Sequence, residues 1–507
     1  MTKPLKRIFF VVLFIIPFFI IIKPILSGAI PFWYDPGRDL LMAWDNLKKI
    51  SLIGPTSGIP GIFYGPQWIW LLSIGVAISK DPRVVLFLVI SLPYFVGIPL
   101  AIYFLNKSLI EKLTVPAIWI LTIFCFSSYI TQIWSPNLAP LLFFILLTLF
   151  YKTKDICTER NIKRFTLMGL IYGLLLNHHI SLGVVLLVTW IIYFFTIFLI
   201  ILISSIKSKR WIPASAGMTQ ISYLIINSVS FFSGLTVMLL PFFLFEVRHG
   251  FMQIKSLIFT LSKSSAVVGQ IGISKYEIVQ KFLERSSVAL SIPQQFSIFV
   301  TVLIMAGIFF NLLKKHYSKD DLKLLLFLAL NIVSLFIVYF GTKNPVWNYH
   351  FISVEVVFIF LTLLAVKKNR ILQYILFSWA VILLISKIVL FTQSYMKENG
   401  QGELMAKKSN VEFILNDTKN SSFVYFAKNP SIYSYDYDYI FRWIGNEKNL
   451  YPNQNPDKAK NIYIIIPEDV KNDKVGFTLN RTPDEKYYTA SEWLREDKTI
   501  IIKRLHK

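Results

Sequence analysis

Eleven apolar stretches separated by short basic clusters leave the 507-residue chain few ways to fold. They are Arg7–Leu26, Val84–Leu105, Thr114–Tyr129, Leu138–Tyr151, Phe165–Asn177, Ile180–Ser205, Ile221–Phe245, Ile292–Leu313, Leu322–Phe340, Phe351–Val366 and Ile371–Thr392. Stretches of this kind read as membrane-spanning helices, which need on the order of 20 apolar residues to cross a bilayer. Composition agrees: 55% of residues are hydrophobic and 16% charged, where a soluble domain carries roughly 25% charged residues. The formal charge of +23 does not indicate a nucleic-acid partner. Its lysines and arginines lie in "TKPLKR", "KTKDICTERNIKR", "KSKR", "KKHYSKDDLK" and "KKNR", between the apolar runs, as topogenic signals do. Cys125 lies in an apolar run and Cys157 in a basic loop, so no disulfide framework is implied. The first apolar run lacks a small-residue cleavage site and reads as a retained anchor.

The positive-inside rule places the basic clusters, and with them the N-terminus, in the cytoplasm. The first span then delivers Asp35 to the outer side, and the span before "KTKDICTERNIKR" does the same for "SPN", Ser135 to Asn137. An even number of crossings must join these loops, yet three apolar stretches lie between them. The shortest, Gln67–Ser79, is therefore expected to lie along the outer interface with Trp68 and Trp70 at headgroup level. "NKSLIEK", Asn106 to Lys112, then falls inside, and eleven crossings send the C-terminal tail outside. That tail, residues 393–507, is polar, with β-rich runs "NIYIIIPED" and "KTIIIKRL" and turn signals such as "YPNQNPD". The expected architecture is an α-helical polytopic membrane domain, residues 1–392, followed by a small α/β extracytoplasmic domain. "RWIPASAGMT", Arg210 to Thr219, reads as an unstructured inner loop.

The outer face gathers the long first loop (27–82), "SPN", the "NHH" turn at Asn177–His179, a loop from Glu246 to Ser291, and "TKNPVWNYH", Thr342 to His350. In the first loop "YDPGRDLL" sets two acidic residues around a basic one, just where the chain leaves the membrane. Asp35 before Pro36 fits a helix N-cap with proline at the first helical position. Asp35 also fits a general base, with Asp39 one turn on along the same helix face and Arg38 beside both. Arg248 and His249 in "FEVRHG", Lys343 and His350 are outward-facing candidates for binding a phosphate. An Arg can hold phosphate oxygens bidentately, and one at a span end can equally snorkel to the interface. Glu246 either pairs with Arg248 or anchors an acceptor. His178 and His179, as sequence neighbours, point to different helix faces and fit packing better than metal binding. "YSYDYDYIFRW", Tyr433 to Trp443, reads either as a sugar-stacking surface or as the edge of a β-rich domain.

An acidic residue directly after span one, an interfacial helix, two spans and a short second outer loop together resemble GT-C glycosyltransferases. The pattern is most similar to the protein O-mannosyltransferase group and its bacterial relatives that transfer aminoarabinose or galacturonic acid to lipid A. The resemblance covers about Arg7 to Thr392 by topology. Those families place an Asp-Glu pair where this chain has Asp35-Pro36, so the first Asp carries over to Asp35 and the second carboxylate is missing unless Asp39 replaces it. Many relatives carry an Asp in the second outer loop where this chain has Asn137, a departure that bears on metal binding. The resemblance implies a hexosyl- or pentosyltransferase of the bacterial cytoplasmic membrane, working on the extracytoplasmic face. It would use a polyprenyl-phosphate sugar donor and a lipid, glycan or protein acceptor, with no cofactor or metal indicated. A flippase of lipid-linked sugars and a polysaccharide polymerase or ligase are the competing readings. Transporters tend to carry internal repeats and ionisable groups near mid-membrane, whereas the titratable residues here gather at one face.

Overall fold

The computed structural model describes residues 3–507 except 58–60, 107, 113, 154–155, 158, 208–213, 263–273, 342–345, 395–402, 420, 430–432 and 454. Eight helices among the described residues are long and apolar enough to cross a membrane. They are Pro82–Leu105, Ser135–Lys152, Ile180–Ile203, Gln220–Arg248, Gln294–Leu313, Lys319–Gly341, Asn348–Val366 and Arg370–Thr392. The chain is an integral membrane protein. The other three expected spans are also helices: α1 (Lys3–Ser27), Thr114–Cys125 and Ile162–His178. Thr114–Cys125 has only 12 residues, a rise of about 18 Å against about 30 Å of hydrocarbon. Nearly every side chain on it is buried, so it is enclosed by other helices and does not face lipid. The expectation for "RWIPASAGMT" is corrected in its second half, because the helix Ala214–Arg248 already contains Ala214 to Thr219. Its first half lies outside the described residues.

Burial separates the bundle's axis from its rim. Protein buries 89% of the Asn348–Val366 span but 22% of Arg370–Thr392, so the latter presents its isoleucines and leucines to lipid. The tightest crossing joins Ile162–His178 to Ala214–Arg248. A Cβ on Gly169 would stand 1.9 Å from the Phe231 carbonyl oxygen, and one on Gly234 would stand 2.2 Å from that of Thr166. Small residues here let two backbones touch, as membrane helices require where no hydrophobic effect draws them together.

Loops assigned to one side by charge meet one another. Lys152 Nζ donates to Ser108 Oγ at 2.6 Å, the Lys368 amide donates to Glu111 at 3.1 Å, and Lys367 pairs with Asp321 at 2.6 Å. At the opposite end, Trp33 after α1 meets Trp134 beside the Ser135–Leu138 turn, that turn bonds the His178 carbonyl, and His179 bonds the Asn348–Phe351 turn. There α2 (Tyr34–Asn46) packs on α3 (Gln67–Ile78). As expected, α3 is a short helix outside the set of long spans. Trp68, however, is fully buried and not at an interface, because its indole N–H serves a carboxylate inside the loop. Trp70 is half-buried and donates to the Ser51 carbonyl at 2.9 Å.

The C-terminal region forms a four-stranded sheet in the order β1 (Phe423–Ala427), β2 (Asn461–Ile466), β4 (Ile500–His506), β3 (Tyr487–Leu494). β1 and β2 run parallel and the other two pairs antiparallel. The two β-rich runs read from the sequence are β2 and β4. "YSYDYDYIFRW" is not a β edge but opens the helix Tyr435–Lys448, whose Tyr437, Tyr439, Ile440, Trp443 and Ile444 side chains are buried. This helix docks on α2 so closely that a Cβ on Gly37 would lie 2.4 Å from the Asp436 nitrogen. Arg442 pairs with Asp45 of α2 at 2.8 Å, and Tyr439 donates to the Lys80 carbonyl at 2.7 Å.

Candidate active site

Trp33, in extended conformation, is the N-cap of α2 and places Asp35 in the first turn. No side chain caps this helix, so the capping explanation of Asp35 does not hold. The Asp35 carboxylate turns instead to Arg38, whose Nη1 lies 2.9 Å from Oδ1. The Trp33 indole makes a longer contact of 3.4 Å with Oδ2. The same guanidinium holds Asp39 Oδ1 through Nε at 2.9 Å and Nη2 at 2.7 Å. Trp68 Nε1 donates to Asp39 Oδ2 at 2.7 Å. One cation thus serves two carboxylates of unequal setting. Asp39 is fully buried with both oxygens engaged, while the Asp35 side chain keeps 28% of its surface exposed. Burial pushes the Asp39 carboxyl up to about 6, against the pull of Arg38 and Trp68. This corrects the place of Asp39: it anchors Arg38 from beneath and offers no oxygen to a substrate.

A wall of aromatic rings extends from Asp35. Trp33 meets Trp134 at 6.5 Å, Trp134 meets Tyr349 at 5.1 Å, and Tyr349 meets the His179 and His350 rings. Tyr64 stands within electrostatic reach of the same charges. Burial pushes its hydroxyl up to about 12, with Tyr349 and Asp35 adding to the effect. Tyr34 packs on Tyr435 at 5.1 Å, so the C-terminal region supplies part of the rim.

The neighbouring polar residues are supports. His179 Nδ1 accepts from the Leu182 amide and the Ser181 hydroxyl, both at 3.1 Å, so its proton sits on Nε2 and is donated to the Tyr349 carbonyl at 3.0 Å. His178 is buried edge-on against Trp68, and Ser135 Oγ donates to its carbonyl at 3.1 Å. Asn137 is buried, donates to the Gln132 carbonyl at 2.9 Å and leaves Oδ1 without a partner among the described residues. His350 lies on the aromatic wall, with Nδ1 accepting from the Trp347 amide at 3.1 Å.

Glu246 and Arg248 belong to the helix Ala214–Arg248, with His249 directly after it, and this helix meets the first loop where Phe245 packs on Phe63 at 6.1 Å. Arg248 and His249 are exposed at the far end of a 35-residue helix, which at about 1.5 Å per residue outruns the bilayer. His249 stacks on Phe245, and neither residue contacts Asp35 or Arg38 among the described residues. Glu246 is buried and accepts from the Gln253 and Ile254 amides at 3.1 Å each, which makes it the N-terminal cap of the helix Met252–Ser262. Lys343 lies outside the described residues.

One constellation was missed in the sequence. Glu355, fully buried in the Asn348–Val366 span, accepts from Arg285 at 2.9 Å and from the Tyr129 hydroxyl at 2.8 Å. Arg285 comes from the helix Lys275–Val288, inside the long Glu246–Ser291 loop. On that helix Lys281 donates to the Val346 carbonyl at 2.8 Å. The helix therefore clamps the turn that carries Tyr349 and His350. A lone carboxylate in an apolar run was the available signal. Among the described residues, no three His, Cys, Asp or Glu side chains gather as a metal site would require.

A long apolar bundle, a structured first loop with its acidic turn, and a small C-terminal region of sheet and helices, whose helix Tyr435–Lys448 docks on that loop, define a polytopic membrane fold of the GT-C type. The crystal structure of ArnT from Cupriavidus metallidurans in the apo state has this fold, with a TM-score of 0.61 over 98% of this chain and 98% of that one. Sequence identity is 10%, so the likeness is one of fold. No protein-family model and no curated protein matches the chain.

Proposed function

We propose that the protein is a membrane glycosyltransferase that moves a sugar from a polyprenyl-phosphate donor to an acceptor hydroxyl, with Asp35 as the base. The observation that carries this reading is the unequal pair on Arg38: one carboxylate buried and saturated, the other open beside an aromatic wall. Asp35 takes the acceptor proton as the acceptor oxygen forms a bond to the anomeric carbon. The bond from that carbon to the phosphate oxygen breaks, and polyprenyl phosphate leaves with the electron pair. A single displacement of this kind inverts the anomeric centre. The leaving group departs as an anion and needs N–H donors more than an acid. His350 stands on the wall beside Tyr349 and is the donor we assign to that role among the described residues. Arg38, held on both sides, fixes the base and sets its orientation.

The fold shared with ArnT, a GT-C transferase, supports a donor that enters sideways from the bilayer. Positive-inside topology supports a site on the extracytoplasmic face of the bacterial inner membrane, with the N-terminus in the cytoplasm. The acceptor is a lipid, glycan or protein of the cell envelope.

The test is transfer of labelled sugar by purified, reconstituted protein from a panel of polyprenyl-phosphate pentoses and hexoses to extracted envelope lipids. Asp35→Asn should lower product formation about a thousandfold, within the range a general base contributes, while the protein inserts and melts as the wild type does. Full activity in that variant removes Asp35 from the chemistry. Label that changes leaflet without becoming covalently attached identifies a flippase instead.

A further inference from the structure

Away from Asp35, a cavity of about 470 Å³ opens in the C-terminal region between β1, the start of the Tyr435–Lys448 helix and the 451–453 segment. Its volume falls within the range of roughly 300–1,000 Å³ typical of small-ligand sites. We propose that this cavity binds one neutral sugar residue of the acceptor glycan. Calling that glycan the acceptor rests on the transferase reading; the binding of a sugar does not.

Tyr425, Phe426, Phe441 and Tyr451 are among the residues that line the cavity, Phe441 itself being buried. Tyr451 is half exposed, and the Tyr425 ring is held flat against Phe441 at 4.0 Å. The electron-rich faces of such rings attract the weakly positive C–H edges of a sugar. The polar groups complement its hydroxyls. Asp438 Oδ1 accepts from the Tyr425 hydroxyl and, at 3.3 Å, from Ser434, while Oδ2 accepts from no described residue. Asn453 also lines the cavity, and its Nδ2 donates to no described residue. A fixed acceptor and a free donor beside aromatic rings suit hydroxyls, which need both. They do not suit a phosphate, which the Asp438 carboxylate repels. The one guanidinium on the wall, Arg442, is already taken by Asp45 of α2 and stacks on Trp44 at 4.5 Å. That pairing also ties the cavity wall to the helix carrying Asp35, so a glycan seated here is anchored to the catalytic loop.

The experiment uses the full chain in detergent micelles and the methyl glycosides of glucose, galactose, mannose and N-acetylglucosamine, read by saturation-transfer NMR. At least one glycoside should receive saturation on its ring protons. Its affinity should fall about tenfold or more in Asp438→Asn, where a charged hydrogen-bond acceptor is lost, and also in Tyr451→Ala, whose exposed position leaves the fold intact. Melting curves of both variants separate lost binding from lost folding. Absence of saturation for all four glycosides overturns the proposal, as does unchanged affinity in both variants. Asp35→Asn should bind the glycoside normally, which separates the two readings. Glycoside binding in a protein without transferase activity defeats the function proposed above and leaves the subsite standing. Transfer in a protein that binds no glycoside does the reverse.

Discussion

Two clusters of carboxylate and cation stand at opposite ends of the bundle, and they differ in charge balance. At the end that the basic clusters assign to the inside, Lys367 reaches both oxygens of Asp321, at 2.7 and 2.6 Å, and Tyr151 and Ser318 fill the remaining acceptor positions. Asp321 is fully buried, and the pair is neutral. At the outer end, one guanidinium faces two carboxylates, leaving an excess negative charge and one carboxylate partly open. Residue types are similar at the two ends, so type alone does not assign a role. An uncompensated charge with an unfilled oxygen is available for chemistry, whereas a saturated neutral pair locks helices together.

The same Asp→Asn change at each end tests this contrast most sharply. Asp35→Asn should cost about a thousandfold in sugar transfer with no change in melting temperature. Asp321→Asn should do the opposite, lowering stability by about 3 kcal/mol because it strands a buried ammonium, while activity per folded molecule holds. Thermal unfolding in detergent beside a transfer assay reads both. If Asp35→Asn melts early and Asp321→Asn transfers poorly, the assignment of roles is reversed.

Arg38→Lys probes the outer cluster from its cation. An ammonium cannot present the guanidinium fork to two carboxylates at once, so Asp35 should lose its fixed orientation while the loop stays folded. A fall of about tenfold in kcat with KM little changed is expected, matching a positioning loss of about 1.4 kcal/mol. A rise in KM alone would instead make Arg38 a substrate ligand.

How much of this was legible in the sequence follows from the range of each interaction. Hydropathy is a property of a continuous segment, so the spans, the short α3 and the polar tail could be read directly. Asp35, Arg38 and Asp39 could be grouped because helical spacing brings them together within one turn. Glu246, read from the sequence as the start of a loop, lies in the last turn of the helix Ala214–Arg248, and its partners are amides seven and eight residues on, a turn that no pattern announces. The Trp68–Asp39 bond spans 29 positions and the Arg285–Glu355 pair spans 70, and periodicity carries no information at such separations. Arg248 stands exposed at the end of its helix and pairs with neither Asp35 nor Arg38 among the described residues, which hydropathy cannot announce. The sheet was legible as strands, while the docking of the helix Tyr435–Lys448 on α2 at Gly37 was not, since one glycine does not say which backbone approaches it.

The last expected effect concerns Asp39 and separates an anchor from a reactive group. Burial raises its carboxyl to about 6 in the folded protein, against roughly 3.9 in the unfolded chain. Between those values the folded state keeps a proton that the unfolded state has released, so stability falls as pH rises through the window. The contribution is complete below about pH 4 and lost above about pH 6, with a slope of at most about 1.4 kcal/mol per pH unit. Asp39→Asn has no proton to lose, so its stability relative to wild type should climb across that window and then level off. Chemical unfolding of both proteins at several pH values across the window measures the difference directly. A variant whose relative stability climbs as pH falls would show that Arg38 and Trp68 outweigh burial. Asp39 would then be a stabilised anion at the centre of the site, and the outer cluster would carry two working carboxylates instead of one.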